Sequence, residues 1–251
     1  MRHLENRMEQ ELIYYEELDS TNAEMKRLVE KKMAKEGTTI IAGMQTAGRG
    51  RHGRVWHSPS NGSLYMSILV EPSFHVDKVS MLTLVMAFAV ATTLSEQGIE
   101  VQIKWPNDLV ISGKKVCGIL TELYHSSEKG MYLIVGVGVN LSKEMLPMEL
   151  MDLATSICMD REMLAKTLTT KFWEAYQQFQ KIQNLTFIKD EYNRMLVNCS
   201  RQVRVLDPAG EYSGIAQGID DEGKLLVQKE NGEIVSVFAG EVSVRGIYGY
   251  V

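Results

Sequence analysis

The sequence predicts an α+β fold: a mixed sheet flanked by helices, followed by a small β-barrel. Three observations carry this expectation. Segments at 101–104, 109–111, 115–124 and 131–139 are rich in Val and Ile on both faces, as in strands covered from two sides. Around them run segments with apolar residues at helical spacing. Beyond residue 200 the pattern changes to five short strands in about fifty residues, separated by turn signals, which suits a small barrel.

Taken in order, Leu12–Leu18 is the first strand. Thr21 and Glu24 fit a capping box that opens a helix to about Ala34, ended by Gly37. Residues 38–43 form a strand, 45–62 a long loop and Ser63–Val70 the next strand. Asp77 caps a helix that runs to Gln97 with Val79, Leu82, Met86 and Val90 on one stripe, and Gly98 stops it. After the four central strands, Asp160 caps a helix in which Leu164, Leu168 and Phe172 recur every fourth residue and which continues through Trp173 and Tyr176. A second helix covers 187–196. The pattern breaks at 198–200, so the expected domains are 1–198 and 199–251. The strands of the second are Gln202–Leu206, Tyr212–Ile219, 224–229, 234–238 and 242–245, and Asn231-Gly232 is the strongest hairpin signal of the chain.

Composition narrows the function. A chain of 251 residues with 45% hydrophobic and 24% charged residues is ordinary for a globular protein. The net charge of −5 argues against a dedicated nucleic-acid binder. The most apolar run, 81–93, reads as too short to cross a membrane, and the N-terminus lacks an apolar signal core. Cys117, Cys158 and Cys199 are odd in number and far apart, which suits a reducing compartment, by default the cytoplasm. Neither they nor the five histidines show metal-ligand spacing.

Four motifs carry chemistry. Gly48-Arg49-Gly50-Arg51-His52-Gly53-Arg54 interleaves glycines with arginines. Glycine frees the backbone, and arginine brings a permanent charge with a planar fork for carboxylates and phosphates. Such a loop should be mobile and close on an anion, although a solvated basic loop or a nucleic-acid contact fits the segment alone. No Gly-Lys-Ser/Thr follows, so it is not a Walker A loop. Lys114 and Lys115 sit in a turn before an apolar strand. Strand alternation puts Lys115, Cys117 and Ile119 on one face, and since Ile119 should be buried, Lys115 should point inward and need an anion. Lys104-Trp105-Pro106-Asn107-Asp108 interrupts two strands with a proline turn, where Trp105 serves equally well as packing or as a ligand contact. Ser20, Thr21, Asn22 and Gln45 are small polar residues around a helix start, where capping and ligand binding are compatible roles.

These motifs, with Gly113–Leu120 and Gly136-Val137-Gly138-Val139-Asn140, resemble in their order the catalytic core of biotin–protein ligases, a class II synthetase-like fold, from about residue 14 to the C-terminus. The resemblance implies an SH3-like final domain, biotin and ATP with Mg²⁺ as substrates, and a biotin carboxyl carrier domain as partner. It implies that Arg49, Arg51, Lys115 and Asp108 carry the chemistry. Arg49 and Arg51 would face the biotin carboxylate and the adenylate phosphate, and Lys115 both. Biotin would lie against Ser20, Thr21, Asn22, Gln45, Gly48, Arg49, Lys115 and Gly118, whose missing side chain admits the ring. The nucleotide would meet Arg51, Arg54, Trp56, Lys104, Asn107, Asn140 and Arg245. Asp108 would bind Mg²⁺ or orient the carrier lysine, and no other protein ligand for the metal is expected. Some relatives carry an N-terminal DNA-binding domain, and the dozen or so residues before the first strand are too few for one, so no DNA contact is expected. Monomer and homodimer are both open. The rivals are a lipoate–protein ligase, disfavoured by the polar set Ser20–Asn22 and Gln45, and a nucleic-acid binder, disfavoured because residues 201–251 carry more acidic than basic side chains.

Overall fold

The computed structural model describes residues 11–126, 130–207, 210–239 and 243–246, without the side chains of Ser243, Arg245 and Gly246. Its larger sheet has seven strands: β1 (Leu12–Leu18), β2 (Thr39–Gln45), β3 (Ser63–Val70), β4 (Gln102–Lys104), β5 (Asp108–Ile111), β6 (Lys114–Ser126) and β7 (Gly130–Asn140). Their order is β1-β2-β3-β7-β6-β5-β4. Only β1 and β2 run parallel, and every other pair is antiparallel, so the sheet is mixed.

Helices cover both faces. α1 (Thr21–Glu30) packs Met25, Leu28 and Val29 against Ile40, Leu69 and Ile134 on one side. α2 (Val79–Glu96) and α3 (Arg161–Ile182) fill the other side. α2 is apolar all round because sheet and α3 enclose it. With its leading turn it gives a 21-residue helical run, Val76–Glu96, that contains an 18-residue stretch of mean hydropathy 1.6, so the sequence reading set the apolar run too short. Burial between sheet and helix accounts for its composition. In α3, Phe172, Trp173 and Tyr176 pack edge-on or stacked within 6 Å.

Two caps differ from the sequence reading. α1 begins at Thr21 with Ser20 as N-cap, and the Ser20 side chain makes no capping hydrogen bond. Asp77 falls inside a 3-10 turn, Val76–Lys78, and does not cap α2. Asp160 does cap α3, accepting from the Met163 N–H at 2.8 Å. α1 also stops at Glu30, four residues early, because Lys32 turns to positive φ.

After α4 (Lys189–Met195) come β8 (Gln202–Leu206), β9 (Tyr212–Ile219), β10 (Leu225–Gln228), β11 (Ile234–Val237) and β12 (Ser243–Gly246). They form one antiparallel sheet in the order β11-β10-β9-β8-β12. The Asn231-Gly232 turn is present, but only Gly232 has positive φ and Lys229 and Glu233 close it, so it is a longer loop than a two-residue hairpin. The small sheet shares the main core through Val203, Val205, Ala216 and Leu225. The Trp105 indole N–H also donates to the Gly223 carbonyl at 3.0 Å.

Phe172 is fully buried and Met148 is 84% exposed. Phe172→Ala should therefore lower unfolding stability in urea by about 3–5 kcal/mol, whereas Met148→Ala should stay within about 0.5 kcal/mol of the wild type.

Candidate active site

A cavity of about 450 Å³ opens where the ends of β6 and β7, the start of α1, the arginine loop and the turn before β5 converge. Its wall includes the polar residues Ser20, Thr21, Asn22 and Gln45 and the cations Arg49, Arg51, Arg54, Lys104 and Lys115, with Lys115 by Gly118 and Asn22 by Gly136 marking its two ends.

The arginine loop folds as a short hairpin. Arg49 bridges Val55, the Trp56 N–H donates to Gly48 O at 3.0 Å, and Arg51–Gly53 make one 3-10 turn with His52 and Gly53 at positive φ. Gly48 is buried at its base, where a Cβ would lie 2.5 Å from both Ser58 Oγ and Trp56 O. It supports the hairpin from outside the cavity wall. Arg51 donates to Asn107 Oδ1 at 3.2 Å and, from the loop to the small sheet's side, to Ala239 O at 2.9 Å. Burial pushes its guanidinium below the usual value, Asp108 opposes that shift and Arg54 adds to it. Arg49 and Arg54 are exposed.

Lys115 Nζ lies 2.6 Å from Asp108 Oδ1 and 5.2 Å from the centre of the Trp56 ring. It faces the cavity, but not for the reason the alternation gave. β5 and β6 lose register between Leu109 and Val110: Leu109 pairs with Cys117 and Val110 with Lys115, leaving Val116 as a bulge. Lys115 therefore shares the face of Gly118 and Asp108, while Cys117 turns into the core beside Leu109. Burial pushes the Cys117 thiol up, and it behaves as a small hydrophobe. Lys114 points away, donating to Met151 O at 2.9 Å. The segment 153–155 seals the bulge through an isolated bridge: the Lys115 N–H donates to Leu153 O, and the Lys115 carbonyl accepts from the Thr155 N–H.

Asn107 has both ends of its amide engaged, Nδ2 on Ile119 O at 3.1 Å and Oδ1 on Arg51. Asn140 is buried and donates to Thr155 O at 3.0 Å. Lys104 and Trp105 line the wall, and the Trp105 ring is core. Arg245 pairs with Arg204 between β12 and β8, and its side chain lies outside the described residues. Its neighbour Val244 reaches the cavity wall.

Glycines floor the cavity. Gly118 and Gly138 are registered partners, and a Cβ on either would meet the Trp56 indole, at 2.8 Å and 2.6 Å. The sequence reading gave the space over Gly118 to a ligand ring; here Trp56 lies on it. A Cβ on Gly136 would fall 2.4 Å from Asn22 Oδ1.

The polar end is larger than the sequence showed. Gln45 Oε1 accepts from the Thr21 backbone N–H at 2.9 Å, and Gln45 Nε2 donates to Ser58 Oγ at 3.0 Å. Ser67 Oγ lies 2.7 Å from Thr21 Oγ1 and 2.6 Å from Asn22 Oδ1. Glu122 accepts from Asn22 Nδ2 and from Lys26 Nζ, each at 2.7 Å. Burial alone would raise the Glu122 carboxyl. Hydrogen bonds from Lys26 and Asn22, with the charges of Lys26 and Arg49, outweigh it and hold the group below its ordinary value. Ser58, Ser67 and Glu122 were not singled out from sequence. Ser67 carries a signal there, since a hydroxyl in a strand apolar on both faces requires a partner.

Residues 14–140 match the biotin/lipoate A/B protein ligase family, and residues 199–245 match the biotin protein ligase C-terminal domain. A bifunctional ligase/repressor BirA of Bacillus subtilis is 35% identical over 246 residues, covering 94% of this chain and 75% of that protein. A biotin–[acetyl-CoA-carboxylase] ligase of Mycobacterium tuberculosis is 33% identical, covering 89% and 85%. The structure of a biotin protein ligase from Aquifex aeolicus in complex with biotin and ATP superposes with a TM-score of 0.83 at 32% identity, covering 94% of this chain and 99% of that one.

Proposed function

The chain belongs to the biotin/lipoate A/B protein ligase family, and we propose that it activates biotin with ATP to biotinyl-5′-AMP and transfers the biotin to a lysine of a biotin carboxyl carrier domain. The observation that carries this reading is the two-ended cavity, with a neutral hydrogen-bonding network at one end and a cluster of cations at the other. A bicyclic urea with a carboxylate tail needs both.

In the first half-reaction the biotin carboxylate attacks the α-phosphorus, the acyl–phosphate anhydride forms and pyrophosphate leaves. Two anions must meet, so catalysis is positioning plus positive charge. Arg51 and Lys115 supply that charge on the cavity wall, and Arg49 and Arg54 add it from the loop. Asn107 and the Ala239 carbonyl hold the Arg51 fork, and Asp108 holds Lys115. Both cations are thus preorganised rather than free to follow the substrate. Trp56 gives the cavity a flat apolar wall, with Lys104, Asn140 and Arg245 as the remaining nucleotide-side residues. Among the described residues no group of three or more His, Cys, Asp or Glu side chains converges. Asp108 is the one carboxylate in the described wall, so Mg²⁺ would arrive on the ATP phosphates with Asp108 as its single protein neighbour, neutralising phosphate charge.

In the second half-reaction the amine of the carrier lysine attacks the acyl carbon, AMP leaves and an amide forms. Asp108 is the cavity's negative group and orients the incoming ammonium before its proton departs. Residues 1–198 act as the catalytic domain and 199–251 as the small domain that completes the wall through Val244. The three free thiols suit a reducing, cytoplasmic setting.

Purified protein with biotin and Mg-ATP should release pyrophosphate without any carrier. Release driven by lipoate and not by biotin would overturn the substrate assignment. Lys115→Ala should slow adenylation roughly 10²-fold or more, whereas Lys114→Ala, on a side chain bound to a loop carbonyl away from the cavity wall, should change it by about threefold at most. Equal effects would refute the role given to Lys115. Single-turnover transfer from preformed biotinyl-AMP should be slowed in Asp108→Asn. Transfer at the wild-type rate would remove Asp108 from amine attack and leave the first half-reaction intact.

A further inference from the structure

Glu122 lies behind the polar end, outside the cavity wall, with its carboxylate about three-quarters covered. It is an acceptor only, so the Asn22 atom facing it at 2.7 Å must be the NH₂ group. The orientation of an Asn amide is otherwise open, and the carboxylate closes that choice. The second Asn22 N–H turns to Leu120 O at 3.4 Å. Asn22 Oδ1 is thereby forced toward Ser67.

Ser67 has one hydrogen and two short oxygen contacts, 2.6 Å to Asn22 Oδ1 and 2.7 Å to Thr21 Oγ1. Asn22 Oδ1 cannot donate, so the Ser67 hydrogen goes to Asn22. The contact with Thr21 then requires the Thr21 hydroxyl to donate to Ser67. With its hydrogen so directed, Thr21 Oγ1 presents only lone pairs to the cavity. Its neighbour Gln45 Oε1, 3.2 Å away, is also an acceptor, because Gln45 Nε2 is on Ser58. Two acceptor oxygens then stand side by side with no hydrogen between them, a place that takes an N–H donor. With the Asn22 amide held in this orientation by Glu122, any other arrangement leaves one of the two Ser67 contacts without a hydrogen.

We propose that Glu122 is a positioning residue for substrate choice: through Asn22 and Ser67 it sets the hydrogen-bond direction so that Thr21 and Gln45 offer acceptors to the N–H groups of a bound cyclic urea. This deepens the biotin reading and rests on it. Lys26 shields the carboxylate from the solvent side without entering the relay.

The test is steady-state pyrophosphate release at pH 8 with the full chain. The wild type is measured first; if biotin drives no release, the ligase reading fails by itself and the relay is not at issue. Given activity, Glu122→Gln, which can donate as well as accept, frees the Asn22 amide to flip. The KM for biotin should rise about tenfold or more, roughly one factor-of-ten step in binding. The KM for ATP and kcat at saturating biotin should stay within about twofold. Lys26→Met keeps an acceptor-only carboxylate and should raise the biotin KM by about threefold at most. Ser67→Ala breaks the same relay, so it should raise the biotin KM alone, and the double variant Glu122→Gln/Ser67→Ala should be no worse than the larger single effect. If Glu122→Gln fails to fold, Ser67→Ala against Lys26→Met gives the same comparison. An unchanged biotin KM in Glu122→Gln, a parallel loss in kcat and the ATP KM, Lys26→Met as damaging as Glu122→Gln, or additive single effects would each overturn the proposal.

Discussion

Opposite Leu109 and Val110, β6 carries one residue more than its partner, and this extra residue, Val116, governs how the site is built. Regular alternation would place Lys115 with Cys117 in the core, where an ammonium group has no water. The bulge returns Cys117 to the core and turns Lys115 to the cavity, next to Asp108. From there the charges follow in contact. Asp108 moderates the desolvated Arg51, Asn107 accepts from Arg51, and the backbone of Asn107 is stitched to Ile119 just past the bulge. The segment 153–155 bridges to the bulged backbone on its other side, so the distortion leaves neither the Lys115 N–H nor its carbonyl unsatisfied.

The floor depends on the absence of side chains. Gly118 and Gly138 face each other across β6 and β7, and Gly136 lies one pleat further on the same face. With any larger residue the Trp56 indole and the Asn22 amide would have to lift from the sheet, since the hypothetical Cβ atoms sit 2.4–2.8 Å from them. The Trp56 ring and the Asn22 amide thus rest directly on bare backbone at the cavity floor.

Much of this was legible in the sequence, and the failures have common causes. Strands and helices were found where apolar period or turn chemistry is strong, as in Ser63–Val70, α3 with its Asp160 cap, and the small sheet. The Thr21 cap was misread because a hydroxyl at a helix start is also free to reach across the sheet, and here it meets Gln45 and Ser67, 24 and 46 residues away. The facing of Lys115 was inferred correctly from a pattern that does not hold, since a bulge leaves no mark in alternation. Glu122 was missed because a carboxylate in a strand reads as a solvent-facing residue, and its partners Asn22 and Lys26 lie about a hundred residues upstream. Arg51 drew attention through the charge pattern of its loop and the family resemblance, and it lines the cavity, but its tie to the Ala239 carbonyl left no mark in the sequence.

The two ends of the cavity make opposite demands on whatever bridges them. At the cation end, Arg51 and Lys115 line the wall beside Asp108, and positive charge fixed there favours an anionic group on whatever binds. At the other end, an ionised carboxylate behind Asn22 orders neutral groups into acceptors, so a donor is needed to satisfy them. A molecule with a carboxylate and no N–H meets only the first demand and leaves oxygen facing oxygen at the second. That mismatch costs more than a missing methylene in an apolar slot, because polar groups left unpaired out of water are penalised outright. Selectivity between cyclic ureas and dithiolane acids can thus arise from hydrogen-bond direction fixed behind the wall, with no steric exclusion required.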